Sequence, residues 1–149
     1  MPEELWYTIP EGTDSNFAWQ IGHLLVSQNF HAITTITGLN EDVGRQIPIA
    51  RYNKIFNGMG TLHRSAERNF IPVSELKEQL GFVHDICLAN LLTLNDETLK
   101  EPLEPIPFKH PVADIKYEAL SWCFKHEMWH SAEMEAIKRA LGYPIVWMK

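Results

Sequence analysis

At 149 residues, 45% hydrophobic and 21% charged, the chain suits one domain with a proper core and is short for two. A net charge of −6, with thirteen basic residues that are scattered, excludes a wrapped nucleic-acid backbone as partner, since neutralising phosphates takes a clustered excess of Lys and Arg. No apolar run approaches the roughly 20 residues that span a bilayer.

The amino end, "MPEELWYTIPEG", has acids and two prolines where a signal peptide needs a basic start and an apolar run, so a soluble cytoplasmic protein is expected. The first predicted element is "DSNFAWQIGHLLVSQNFHAITTITG". It opens on the cap-type residues Asp14 and Ser15, stops at Gly38, and is apolar around most of its circumference, which predicts a buried helix. Residues 39–73 are rich in Gly and Pro, and "PIARYNKIFNGMG" predicts one short helix around Tyr52 to Asn57. A connection this long in a small domain is usually functional or partly structured.

The stretch "SELKEQLGFVHDICLANLLTLNDETL" carries Leu76, Leu80, Val83, Cys87, Leu91 and Leu94 at helical spacing, behind a Ser74 placed to cap the first turn. The last element, "PVADIKYEALSWCFKHEMWHSAEMEAIKRALGYP", has Pro111 at its start, Lys138 and Arg139 in its last turn, and Gly142 then Pro144 at its end. It predicts one long helix. With no repeats, low-complexity tract or strand pairs, the class is all-α, a helical bundle forming a single domain over residues 1–149. Cys87 and Cys123, both among apolar neighbours, are expected to be buried reduced thiols of an intracellular protein.

The last helix holds "HEMWH". At about 100° per residue, His126 and His130 share a face with Ile115, Ala119, Trp122, Cys123, Ile137 and Leu141, so both point toward the core. Two imidazoles buried one turn apart need partners for four ring nitrogens, and one divalent ion satisfies a nitrogen of each. A zinc protease is not expected: its third ligand would lie downstream, where Glu133 and Ala136 stand at the corresponding positions and 19 residues follow His130. The third ligand must come from upstream. His23, on the face of Trp19, Val26 and Phe30, is the first candidate and His84 the reserve; His31, His63 and His110 have polar or loop surroundings and are expected to face solvent.

These pieces, "W-x-x-G-H-L", a glycine-bearing loop, a leucine-rich helix ending "L-N-D-E-T-L-K-E-P-L", and "H-E-x-x-H" running into "R-A-L-G", resemble the DinB-like (YfiT-type) proteins over residues 3–143. The resemblance implies a four-helix bundle holding a metal on three histidines, here His23, His126 and His130. It also implies a metal-dependent hydrolase or a transferase using a low-molecular-weight thiol. Two features depart from the family pattern. Ala132, Glu133 and Met134 stand where a "G-Q-I" pattern is usual, and only thirteen residues precede Asp14, so the N-terminal helix is short or absent, or the chain is a fragment.

Three neutral imidazoles would leave a divalent ion open positions for a small-molecule substrate, the catalytic pattern rather than the closed structural one. Zinc or nickel is expected first, with iron and manganese also compatible. Glu127 or Glu133 is the expected proton carrier, and Trp19, Tyr52 and Phe56 are the expected pocket walls. A non-catalytic metal- or ligand-binding stress protein is the alternative. Because Phe17, Ile21, Leu24 and Leu25 lie opposite the Trp19, Val26 and Phe30 face, one apolar side of the first long helix is expected to be covered by a homodimer partner.

Overall fold

The computed structural model describes residues 1–57 and 70–143. A single 3-10 turn, Glu3–Leu5, precedes the first α-helix. Helix α1 (Phe17–Gln28) is capped by Asn16, whose Oδ1 accepts the Trp19 N–H at 2.8 Å, and not by Asp14 or Ser15. It continues into a π-helical turn, Asn29–Thr34, and a last short turn, α2 (Thr35–Thr37), which ends on Gly38 at φ 87°.

The following connection holds two helices where one was expected. Asn40 Oδ1 accepts the N–H groups of Asp42 and Val43, each at 3.0 Å, and starts α3 (Glu41–Gln46); α4 (Ile49–Phe56) follows after Pro48. Helix α5 (Val73–Leu91) begins directly after Pro72, so Ser74 lies inside its first turn and caps nothing. It also stops short of the expected "TLNDETL" extension. There Asn95 Oδ1 captures the N–H groups of Glu97 and Thr98 at 2.9 and 3.0 Å, a local competitor that ends helical pairing. Helix α6 (Lys116–Ala140) starts five residues after Pro111, where Glu118 Oε2 accepts the Asp114 and Ile115 N–H groups at 2.8 and 3.3 Å.

Helix α1 packs against α4, α5 and α6. That position explains its pattern: a helix apolar on all sides needs neighbours on all sides. Leu24 and Leu25, expected to await a partner chain, are 6% and 0% exposed within this chain alone. Trp6 and Tyr7 of the amino segment lie against the same core, and the Tyr7 hydroxyl donates to the Ile71 carbonyl at 2.6 Å while accepting the Ile71 N–H at 2.9 Å. The large exposed apolar residues are elsewhere, among them Tyr117, Phe124 and Met128 on α6.

One close approach fixes α4 on α1. A Cβ on Gly22 would stand 2.5 Å from the ring of Phe56, which is fully buried and cannot yield. Glycine normally costs a helix interior about 1 kcal/mol relative to alanine. Here that loss is outweighed by the contact it permits. Gly22→Ala should therefore destabilise the protein by about 1–3 kcal/mol through overpacking, although it raises helix propensity. Gly81→Ala, in open space on α5, should stabilise by about 0.5–1 kcal/mol. Urea unfolding of the two variants checks both signs.

Candidate metal centre

Helix α1 supplies His23 and α6 supplies His126 and His130, and their ligand atoms lie within 4.8 Å of one another. His126 Nε2 is 3.2 Å from His23 Nε2 and 3.0 Å from His130 Nε2. What these contacts are depends on where the ring protons sit, and the surroundings decide that.

His23 Nδ1 lies 2.6 Å from the Phe56 carbonyl, which only accepts, so the proton is on Nδ1 and the lone pair on Nε2. Phe56 is the last residue of α4, and its carbonyl has no partner within its own helix. The Trp19 indole N–H donates to the neighbouring Ile55 carbonyl at 3.2 Å, and its ring stacks on His23 at 4.8 Å between centroids. The carboxyl end of α4 is thus satisfied by two ring N–H groups of α1, and in return it fixes one tautomer.

His130 is oriented by Gln20 and Glu133. The Gln20 amide nitrogen donates to Glu133 Oε2 at 2.9 Å, so its oxygen faces His130 Nδ1, at 2.5 Å. Glu133 Oε2 is itself 3.2 Å from Nδ1. Nδ1 therefore carries the proton and Nε2 the lone pair. His126 Nδ1 pairs with the Ser27 hydroxyl at 2.9 Å.

The Nε2 lone pairs of His23 and His130 both face His126 Nε2. A second proton on His126 is disfavoured at neutral pH, since burial, with His130 and His23 nearby, lowers it from 6.5 to about 4. A divalent ion would fit among the three rings. With metal–nitrogen bonds of 2.0–2.1 Å, tetrahedral ligands stand about 3.3 Å apart, close to the separations found. Each ligand also has the outer partner that metal-binding histidines ordinarily have.

The other expected site residues divide. Glu133 stands behind His130, on the Nδ1 side, as an orienting acceptor. Glu127 turns away: its Oε1 accepts from the Gln28 amide at 3.0 Å and the Cys123 thiol at 3.3 Å. Trp19, Tyr52 and Phe56 are 1%, 0% and 0% exposed. The Tyr52 hydroxyl donates to Glu75 at 2.8 Å and the Phe56 ring fills the space above Gly22, so both fasten α4, and Phe56 serves the centre through its carbonyl. His84 is exposed on α5 and outside the cluster, and His63 lies outside the described residues. Both cysteines are free and buried.

The expectation for His31 and His110 is corrected. They are 8% and 3% exposed, and His31 Nδ1 lies 2.8 Å from His110 Nε2. On a regular helix His31 would stand roughly 80° around from His23. The wider π turn carries it back toward α6, with its ring 6.1 Å from that of His126. Gln20 and Ser27 were also missed, yet their spacing from His23, one turn before and one turn after, is the signal that could have found them.

These features define a helical bundle whose interior holds a three-histidine cluster able to take a metal ion. The chain belongs to the DinB superfamily, whose family profile matches residues 1–134. Searches of curated proteins and of solved structures return no match. Among the described residues no helix is long and apolar enough to cross a membrane.

Burial of these histidines sets a pH dependence. Burial, then the neighbouring His110, His126 and His23, lower His31 from 6.5 to about 3. As pH falls below 6.5 the unfolded chain takes a proton at this position while the folded one does not, so stability present at neutral pH is lost. Each such histidine costs up to about 1.4 kcal/mol per pH unit. Urea midpoints of metal-free protein should fall steadily from pH 7 to pH 5, and His31→Gln should flatten the slope.

Proposed function

We propose that this protein is a metal-dependent enzyme of hydrolase or thiol-dependent transferase type, with a divalent ion held by His23, His126 and His130. The observation that carries the reading is the convergence of three Nε2 atoms, two of them with lone pairs fixed by acceptors at Nδ1. When bound, such an ion would supply Lewis acidity and would lower the pKa of a water or thiol placed on it, giving a nucleophile at neutral pH.

The chain's own residues hold and orient. Glu133 and Gln20 fix the plane of His130, the Phe56 carbonyl fixes His23, and Ser27 supports His126. Of the two acids, Glu133 is the one we assign to proton exchange at His130 Nδ1; Glu127, engaged by Gln28 and Cys123, is assigned no step. Zinc or nickel is the proposed metal, a low-molecular-weight thiol the proposed co-substrate of the transferase form, and the cytoplasm the proposed location.

Metal analysis tests the reading. The purified protein should hold about one divalent ion per chain, and His23→Ala and His126→Ala should each lose most of it. Glu133→Ala should weaken affinity by about 10- to 100-fold or less, and Glu133→Gln, which keeps an acceptor oxygen, little. Turnover of model ester or thiol-transfer substrates should vanish on chelation and return with metal. Full retention by His23→Ala would remove the three-histidine centre, and tight metal binding without turnover would favour the non-catalytic alternative.

A homodimer is a further proposal, and with α1 enclosed its surface would be the stripe of Tyr117, Phe124 and Met128, which are 58%, 62% and 59% exposed. Light scattering at micromolar concentration decides it: we expect twice the chain mass, and a monomer would rule the dimer out.

A further inference from the structure

Ile21 and Gln28, seven positions apart, share a face of α1, and Lys77, Leu80, Gly81 and His84, at helical spacing, share a face of α5. Together they line a groove of about 340 Å3 between the two helices, a volume suited to a small molecule. None of the three clustered histidines lines it.

One lining residue, Gln28, is polar and only 7% exposed. Its amide is oriented from α6: Nε2 donates to Glu127 Oε1 at 3.0 Å, so the nitrogen is engaged by the carboxylate and the oxygen is left over. That oxygen, Gln28 Oε1, is buried and has no hydrogen-bond partner. Leaving a buried acceptor without a donor is costly, and a donor brought from outside the chain would remove the cost.

A second, independent feature lies across the groove. Gly81 sits in the middle of α5, where glycine weakens a helix, and a Cβ there would meet nothing within 4 Å. No contact within the folded chain calls for glycine at this position, in contrast to Gly22. Its bare backbone leaves room for a ligand to come close. Lys77 is paired with Glu3 at 3.0 Å, which favours an uncharged molecule over an anion.

We propose that the α1–α5 groove is a second ligand site, for a small, flat, uncharged molecule of indole or phenol type whose single N–H or O–H donates to Gln28 Oε1. The apolar body lies over Gly81 between Ile21 and Leu80. These two side chains are only partly buried, and one of them turns aside to let the donor reach the oxygen beneath. The site does not depend on the metal reading.

Indole is the probe, and 1-methylindole, which keeps the apolar body and lacks the N–H, is its control. In 15N-labelled full-length protein, indole should shift the amide signals of Ile21, Leu80 and Gly81 in a saturable way, and 1-methylindole should bind about tenfold or more weakly. Gly81→Leu, whose side chain would fill the groove, should abolish these shifts while the circular dichroism stays helical. In Gln28→Met, of similar size but without the acceptor, the two probes should bind alike. Equal affinity of the two probes for the parent protein, saturable shifts confined to other residues, or no shift up to the solubility limit of indole overturns the proposal. The comparison of the two probes uses the parent chain and stands even if neither variant folds.

Discussion

Burying polar side chains where α1 meets α6 is the constraint from which the rest of this molecule follows. Gln20, His23 and Ser27 on one helix face His126, His130 and Glu133 on the other, against a core of aliphatic and aromatic side chains. A polar network in low dielectric stabilises only when each member is satisfied, and a half-satisfied one is worse than an apolar core. In this one every Nδ1 has its partner. The three Nε2 atoms converge, and a cation among them would serve all three rings at once.

That demand reaches outward into the scaffold. Gly22 exists where α4 must come close enough for its last carbonyl to touch His23, and Phe56 provides both the ring that needs the glycine and the carbonyl that fixes the imidazole. The "GHL" segment is therefore one device and not two residues. The first makes room for the element that orients the second. Asn16 and Gln20 extend the same logic at the start of α1, one capping the helix and the other bracing His130.

Irregular backbone is concentrated on the other side of the centre. A π turn in the longest-buried helix and a connection closed at its base bring His31 and His110 together, neither of which a regular helix or an open loop would achieve. π turns of this kind commonly sit at functional sites, because they rotate one side chain without breaking the helix. The three clustered histidines rest on regular helices, and the second pair rests on the two segments that depart from regularity.

The sequence by itself determined the helical class, the three long helices and the three histidines that cluster. Each rests on local periodicity: His126 and His130 share an apolar stripe at spacing four, and His23 lies on the apolar face of its own helix. Helix ends were less legible, since Asn16, Pro72 and Asn95 decided them through side-chain hydrogen bonds or a missing N–H rather than through pattern. Only the tertiary structure decided which carboxylate lies against the histidine cluster, because Glu127 and Glu133 differ in what α1 sets opposite them: Gln28 for one and Gln20, which also holds His130, for the other. It alone turned His31 and His110 inward. Their pairing crosses 79 positions of chain and depends on a turn wider than the helical period, and no local pattern encodes either.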